Sequence, residues 1–115
     1  MTIKIYHNPR CSKSRQTLEL LKDKGLQLEV IEYLKTPPTL EELDNILKKL
    51  KLEPDQIVRK KEELCQELDL AKKKLSRQEW LKVLVKNPIL IERPIVVNGN
   101  KAAIGRPPEK ILEIL

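Results

Sequence analysis

The chain has 115 residues, of which 40% are hydrophobic and 35% charged, so it is long enough for one domain with a sizeable core. It contains no Phe, and aliphatic side chains must therefore fill most of that core. Its 23 basic and 17 acidic residues leave a formal charge of +6, which favours anionic partners without specifying the anion.

The cysteine count and the apolar pattern exclude two protein classes. Two cysteines are too few for a disulfide-rich scaffold, and no apolar run approaches the roughly 20 residues that would cross a bilayer. The lysine-containing start "MTIKIYHN" does not look like an export signal. We therefore expect a soluble, cytoplasmic protein with no membrane partner, whose thiols are reduced at rest.

The first third of the chain predicts a β-α-β unit. Residues 3–6 alternate and include β-branched side chains, as a strand does. Residues 12–24 contain neither Pro nor Gly and stop before Gly25, a residue type that commonly ends helices. Residues 26–33 alternate again, and the length of the crossover suits parallel pairing of the two strands.

The middle third predicts helices only. After the break at "KTPPT", Thr39 and Glu42 form a capping-box pattern for a helix that reaches about residue 50. A second helical stretch, continuous or broken, covers residues 54–68. A third, capped by Ser76, covers residues 76–86.

The last third returns to strands. Residues 95–97 and 102–104 predict a β-hairpin with its turn at Asn98-Gly99. The stretch "RPPEKILEIL" then begins a final helix, with prolines where a first turn tolerates them. The order β-α-β, helices, β-β-α predicts an α/β fold in which residues 1–115 form one domain and the helices are an insertion within it.

Cys11 stands between the first predicted strand and the first predicted helix, among polar and basic residues. Unsatisfied N–H groups and the dipole at a helix N-terminus favour the thiolate, which is the reactive form of cysteine. Arg10, Lys13 and Arg15 add positive charge nearby, and Ser14 can add a hydroxyl donor. We therefore interpret Cys11 as a reactive thiol rather than as a small buried residue.

Spacing excludes several other sites. A cysteine phosphatase loop would need Arg at position 17, where the chain has Thr17, and a dithiol pair would need Cys at the position of Ser14. Two cysteines far apart and one histidine cannot supply a clustered zinc site. His7 can act as a base, orient the thiol or simply form a hydrogen bond at the end of its strand.

Three arginines lie at predicted element boundaries. Arg93 precedes the third strand, Arg106 follows the fourth strand, and Arg59 ends a short helical piece. Each is either a solvated charge or, if the sheet brings these ends together, part of a guanidinium cluster suited to a tetrahedral oxyanion.

Four stretches carry a family resemblance: "IYHNPRCSKSRQTLELL", "YLKTPPTLEEL", "PILIERPIVV" and "GRPPEKILEIL". In order and spacing they resemble the glutaredoxin-coupled arsenate reductases, the ArsC family of thioredoxin-like proteins. The resemblance covers essentially the whole chain. It implies a thioredoxin-like α/β fold, a four-stranded mixed sheet with a helical insertion between strands 2 and 3.

The resemblance also implies roles for individual residues. The nucleophilic cysteine of the family corresponds to Cys11, and its helper residues near the thiol correspond to His7 and Ser14. Pro94 looks like the cis-proline that thioredoxin-like folds place beside the active site. The family's oxyanion-binding arginines correspond to Arg59, Arg93 and Arg106.

The implied reaction is the reduction of arsenate. The thiolate forms a thiol-arsenate adduct, glutathione reduces it, and glutaredoxin regenerates the thiol as arsenite leaves. Glutathione and glutaredoxin are external reductants, so no bound cofactor and no metal is expected. The partners are then arsenate or a similar oxyanion and glutaredoxin, without nucleic acid, and the chain is expected to be a monomer.

Two other functions stay open at this point. The best-established family members carry Gly directly after the cysteine, where this chain has Ser12. Its Cys-x-x-Ser pattern also suits a monothiol oxidoreductase that acts on glutathionylated proteins. The ArsC-like fold further includes non-enzymatic regulatory binding proteins, although these commonly use a second cysteine where this chain has Ser14. Cys65 is expected to be a small half-buried residue, not a resolving cysteine.

Overall fold

A computed structural model of the protein describes residues 2–59, 62–68 and 74–115. The chain divides into two compact units. One combines Met1–Thr36 with Arg93–Leu115, and the other is Pro37–Glu92. The prediction for the side chain of Cys65 lies outside what the structure describes.

A four-stranded sheet organises the first unit. Its strands are β1 (Ile3–His7), β2 (Leu28–Glu32), β3 (Ile95–Asn98) and β4 (Lys101–Ile104), in the order β2-β1-β3-β4. Strand β1 is parallel to β2 and antiparallel to β3, and β3 is antiparallel to β4. The predicted mixed sheet is therefore confirmed, including parallel pairing across the first crossover.

Helix α1 (Ser12–Asp23) connects β1 to β2 and ends where the sequence predicts. Lys24 caps it, and Gly25 follows with a φ of +68°, a left-handed conformation that glycine adopts without strain. The Gly25 N–H donates to the Lys22 carbonyl at 2.9 Å. Leu21 is fully buried and anchors α1 to a core that it shares with Ile3, Ile5, Val96 and Ile111.

Two details of the last third differ from the prediction. The register pairs Asn98 with Lys101, so the turn consists of Gly99 and Asn100 rather than Asn98 and Gly99. Gly99 has a φ of +62°, as type II′ turns require at their first position. The final segment, Pro108–Ile114, is a 3₁₀ helix and not an α-helix. Apolar residues three positions apart fit both helix types, so the pattern does not distinguish them.

The second unit is the helical insertion between β2 and β3, as predicted. Thr39 caps α2 by accepting the Glu42 N–H at 3.1 Å, and Ser76 accepts the Glu79 N–H at 3.2 Å within a complete capping box. The described helices are α2 (Leu40–Leu50), α3 (Glu63–Glu67) and α4 (Arg77–Lys86), with 3₁₀ segments at Pro54–Ile57 and Pro88–Leu90.

The predicted helical stretch over residues 54–68 is broken in the structure. Between the 3₁₀ segment and α3, Val58 forms an antiparallel bridge with Ile91, and Arg59 donates its N–H to the Leu90 carbonyl at 2.7 Å. These backbone pairs satisfy groups that a helix would otherwise satisfy internally. Within the described ranges, no helix is both long and apolar enough to span a bilayer.

Candidate active site

The strand order brings three chain segments to one edge of the sheet. Tyr6 of β1 pairs with Ile95 at the start of β3, and Ile95 pairs with Ile104 at the end of β4. The loop after β1, the residues before β3 and the residues after β4 therefore all lie at the same end of the strands. Cys11 lies in the first of these segments, and Arg93 and Arg106 lie in the other two.

The loop between β1 and α1 is held by its own backbone and by Asn8. The Cys11 N–H donates to the Asn8 carbonyl at 3.0 Å, which closes a turn with Pro9 at its second position. The Arg10 N–H donates to Asn8 Oδ1 at 3.0 Å, and the Arg15 guanidinium donates to the Pro9 carbonyl at 3.0 Å. The loop is thus pinned on both sides of the thiol.

Cys11 is the N-cap residue of α1. Its φ and ψ of −96° and 123° are those of an extended residue entering a helix, and it makes no side-chain capping hydrogen bond. Its side chain is 8% exposed, and the first helical turn contains no acidic residue. Cys11 therefore stands at the start of α1, where the unsatisfied N–H groups of a first turn favour negative charge, but its sulfur accepts none of these N–H groups.

His7 and Ser14 form a buried hydrogen-bonded pair below this loop. His7 Nδ1 lies 2.7 Å from Ser14 Oγ, and the Asn8 N–H donates to the same oxygen at 3.0 Å. His7 is 6% exposed and Ser14 is fully buried. The structure thus brings both predicted helper residues together on the elements that carry Cys11, the end of β1 and the first turn of α1.

Burial sets the protonation of His7. Desolvation lowers the pKa of this imidazole below its ordinary value of 6.5. Glu32, its register partner on β2, opposes the shift, while Lys22 and Arg15 reinforce it by charge repulsion. The neutral imidazole is therefore favoured near neutral pH, and it can accept a hydrogen bond at one ring nitrogen and donate at the other.

The lowered pKa of His7 predicts a loss of stability in mild acid. The unfolded chain binds the proton at about pH 6.5 and more tightly than the folded chain, so protonation favours unfolding. This contribution to the free energy of unfolding is complete above pH 6.5 and is lost as the pH falls through the folded pKa. His7 is the only histidine, so His7→Asn removes the effect. Urea unfolding of both proteins from about pH 7.5 to about pH 5 tests this; equal pH slopes would contradict it.

Arg93, Pro94 and Arg106 form a second cluster at the same edge of the sheet. The Arg93–Pro94 and Arg106–Pro107 peptide bonds are both cis. The Gly105 N–H donates to the Pro94 carbonyl at 2.9 Å, and the Arg106 guanidinium lies 3.4 Å from the Arg93 carbonyl oxygen. Two of the three predicted arginines are therefore neighbours in the unit that contains Cys11.

The third predicted arginine belongs to the helical unit. Arg59 is about a quarter exposed and forms an ion pair with Glu62, with 2.5 Å between the charged atoms. Its backbone N–H is bound to the Leu90 carbonyl. The guanidinium of Arg59 is thus held by an acidic neighbour that the sequence pattern did not single out.

Sequence reasoning missed Asn8 and Gly105. Asn8 organises the loop through three hydrogen bonds, and the Asn-Pro pair at its start is a recognised turn signal. Gly105 separates β4 from Arg106 and packs against α1, and its only sequence signal is a glycine directly before a predicted site residue.

Space for a small ligand lies beside the loop. A cleft of about 960 Å³ is bordered by His7, Pro9, Ser12 and Arg15, among other residues of the first unit, but Cys11, Arg93 and Arg106 are not among its lining residues. Its volume is within the range of small-molecule sites. Among the side chains that the structure describes, no group of three or more His, Cys, Asp or Glu is arranged to hold a metal ion.

Comparison with known proteins identifies the family. Residues 6–114 match the model of the ArsC family. The arsenate reductase of Haemophilus influenzae is 50% identical over 116 residues, covering 100% of each chain. The uncharacterized protein YfgD of Escherichia coli is 52% identical over 114 residues, covering 98% of this chain and 96% of YfgD.

A solved structure agrees with these matches. The arsenate reductase from Vibrio cholerae superposes with a TM-score of 0.96 at 49% identity, covering 100% of this chain and 98% of that one. Sequence and fold therefore agree over the full length of the chain, and the predicted thioredoxin-like architecture is confirmed. The chain belongs to the ArsC family.

Proposed function

We propose that this protein is an arsenate reductase that uses Cys11 as its nucleophile and glutathione with glutaredoxin as reductants. The observation that carries the proposal is the placement of Cys11 at the N-cap of α1, in a stretch that resembles the family's nucleophile loop. It is supported by 50% identity to the Haemophilus influenzae arsenate reductase over both full lengths.

The first step is substitution at arsenic without a change in oxidation state. The Cys11 thiolate attacks the arsenic of arsenate, an S–As bond forms, and one oxygen leaves as water after protonation. The N–H groups of the first turn of α1 offer hydrogen-bond donors to an anion that reaches the start of the helix. The extended backbone of Cys11, with no capping bond to its sulfur, leaves that sulfur available for the new bond.

The second step is the reduction. Glutathione supplies one thiol to the adduct and glutaredoxin mediates the second thiol exchange, so that two thiols become one disulfide. Those two electrons reduce arsenic from the +5 to the +3 state, and arsenite leaves as the Cys11 thiol is restored. The reduced glutathione that this needs is a feature of the cytoplasm, which is the location we propose.

His7 and Ser14 are proposed to tune the thiol. With the proton on His7 Nδ1, the imidazole donates to Ser14 Oγ, and the hydroxyl hydrogen of Ser14 is left for another acceptor. With Nδ1 unprotonated, the hydroxyl donates to the ring instead. Only the first arrangement lets Ser14 donate toward a thiolate or an oxyanion, so the tautomer of His7 controls that hydrogen bond.

Arg93 and Arg106 are proposed to bind the oxyanion. Guanidinium groups bind tetrahedral oxyanions through paired N–H donors, and their charge favours the more negative transition state. The sheet topology places both residues at the edge from which the Cys11 loop leaves. The family resemblance also names Arg59 as a ligand, and in the structure this arginine forms an ion pair with Glu62 within the helical unit.

A coupled assay tests the proposed function. Purified protein, arsenate, glutathione, glutaredoxin and a disulfide-recycling system are expected to form arsenite at a rate proportional to the protein concentration. Omitting either thiol component is expected to stop turnover. An absence of arsenite with both present, while iodoacetamide still alkylates Cys11 rapidly, would reject arsenate as the substrate and retain the reactive thiol.

The single thiol at the start of α1 supports a second candidate function, the removal of glutathione from proteins. Cys11 followed by Ser14 is the monothiol version of a dithiol pair, which suits removal of glutathione from glutathionylated proteins. A deglutathionylation assay with a glutathionylated test protein separates the two functions. Turnover there without arsenate reduction would favour the second.

A further inference from the structure

We propose that Gly105 is a positioning residue for Arg106, because its missing side chain lets the end of β4 approach α1 more closely than any other residue would allow. The proposal rests on the oxyanion-binding role of Arg106 given above. It concerns a contact between Gly105, Thr17 and Pro94, residues to which the family resemblance assigns no such role.

The contact is too close for a β-carbon. A Cβ built on Gly105 would lie 2.5 Å from Thr17 Oγ1, 2.9 Å from Pro94 Cγ and 3.1 Å from Thr17 Cγ2. Real Cβ atoms essentially never come within 3.0 Å of a non-bonded heavy atom of a residue other than their chain neighbours, so two of these distances require a displacement. Glycine is therefore required at position 105 by space.

The neighbours of Gly105 cannot easily move away. Thr17 is a β-branched residue that is fully buried on α1, so its side chain has few alternative rotamers. Its Oγ1 is also held by a hydrogen bond that it donates to the Lys13 carbonyl at 2.8 Å. Pro94 is buried and has a rigid ring, and its carbonyl accepts the Gly105 N–H at 2.9 Å. An added methyl group at position 105 would therefore displace the end of β4 rather than its neighbours.

That displacement would reach Arg106 directly. The Arg106 N–H donates to the Ile104 carbonyl at 2.9 Å, so the two residues that flank Gly105 are tied together. The Arg106 guanidinium lies 3.4 Å from the Arg93 carbonyl oxygen, which is already close to the upper limit for a hydrogen bond, so any further separation would break this contact. A shift away from α1 therefore moves this arginine relative to both Arg93 and the helix that carries Cys11.

The first test is Gly105→Ala in the coupled assay. The KM for arsenate is expected to rise about tenfold with a smaller fall in kcat, because a misplacement of about 1 Å in a binding group can cost on the order of a hundredfold in rate. The rate of Cys11 alkylation by iodoacetamide is expected to stay within about twofold of wild type, since α1 itself is not displaced. An unchanged KM would overturn the proposal.

A pair of double variants isolates the contact. Thr17→Ala removes both Oγ1 and Cγ2 but leaves Pro94 Cγ 2.9 Å from the added methyl group, so the KM of Thr17→Ala/Gly105→Ala is expected to fall to about two- to threefold above that of Thr17→Ala alone. Thr17→Val keeps the same bulk, so Thr17→Val/Gly105→Ala is expected to remain impaired. Equal KM values for the two double variants would overturn the proposal.

If Gly105→Ala fails to fold, the comparison of Thr17→Ala/Gly105→Ala with Thr17→Ala alone decides. Pro94 still obstructs the added methyl group in that double variant, so identical KM values for these two proteins would overturn the proposal.

Wild-type protein in the same assay separates this inference from the proposed function. No turnover by wild type would reject the function, and crystal structures of wild type, Gly105→Ala and Thr17→Ala/Gly105→Ala then decide the inference. It requires that Arg106 move away from α1 in the single variant and return in the double variant. An unmoved Arg106 in Gly105→Ala would overturn it.

Discussion

Replacing Cys11 with Ser is expected to abolish arsenate reduction, lowering turnover by at least about a thousandfold. A hydroxyl of nearly the same size fills the N-cap position, so the fold should persist, but it is not ionised near neutral pH and is a poor nucleophile toward arsenic. Arsenite production in the coupled assay measures the loss. Thermal unfolding of the variant, expected near that of wild type, shows that the loss is chemical rather than structural.

Cys65→Ser is the matched control for this experiment. The sequence places Cys65 far along the chain, where it is expected to be a small packing residue, so turnover should stay within about twofold of wild type. More than a tenth of wild-type activity in Cys11→Ser would place the nucleophile elsewhere. A large loss in Cys65→Ser would instead assign the second cysteine a role in resolving the adduct.

Arg106→Ala is expected to lower kcat/KM for arsenate by on the order of a hundredfold, because the proposed function makes Arg106 a charged donor to the oxyanion, and such donors bind more tightly as charge develops in the transition state. Arg106 is exposed and follows β4, so its truncation should leave the stability of the fold nearly unchanged. Steady-state kinetics in the coupled assay, with arsenate as the varied substrate, measure both KM and kcat.

Arg10→Ala controls for the loss of one positive charge. Arg10 is also exposed and lies in the Cys11 loop, but only its backbone N–H has a described role, as a donor to Asn8. We expect a decrease in kcat/KM of no more than about fivefold, as for a long-range charge effect in water. If Arg10→Ala and Arg106→Ala lose activity equally, Arg106 acts only through the overall field and not as a ligand.

Elements with local signals could be predicted from the sequence. Helix α1 begins directly after Cys11. It ends before Gly25 because this glycine supplies the left-handed residue that terminates the helix. Thr39 and Ser76 cap their helices through bonds to residues three positions ahead. These interactions lie within one turn of chain, so the sequence pattern contains all the information they require.

Elements that depend on distant partners were predicted less well. The turn of the last hairpin is one residue later than expected, because the pairing of Ile95 with Ile104 sets the register of both strands. For residues 54–68 the sequence left a continuous and a broken helix open, and the structure has the broken form because Val58 pairs with Ile91, far along the chain. Local propensity does not report such pairings.

For the candidate site, the sequence by itself determined which residue types are available: a single thiol just before a helix, with His7, Ser14 and basic residues nearby, and no second cysteine at position 14. Only the tertiary structure decided the geometry. It buries His7 against Ser14, brings Arg93 beside Arg106, and closes Gly105 onto Thr17 and Pro94. The physical reason is that residue types and their spacing are local properties of the chain, whereas burial and close approach depend on which strands pair and which surfaces pack together.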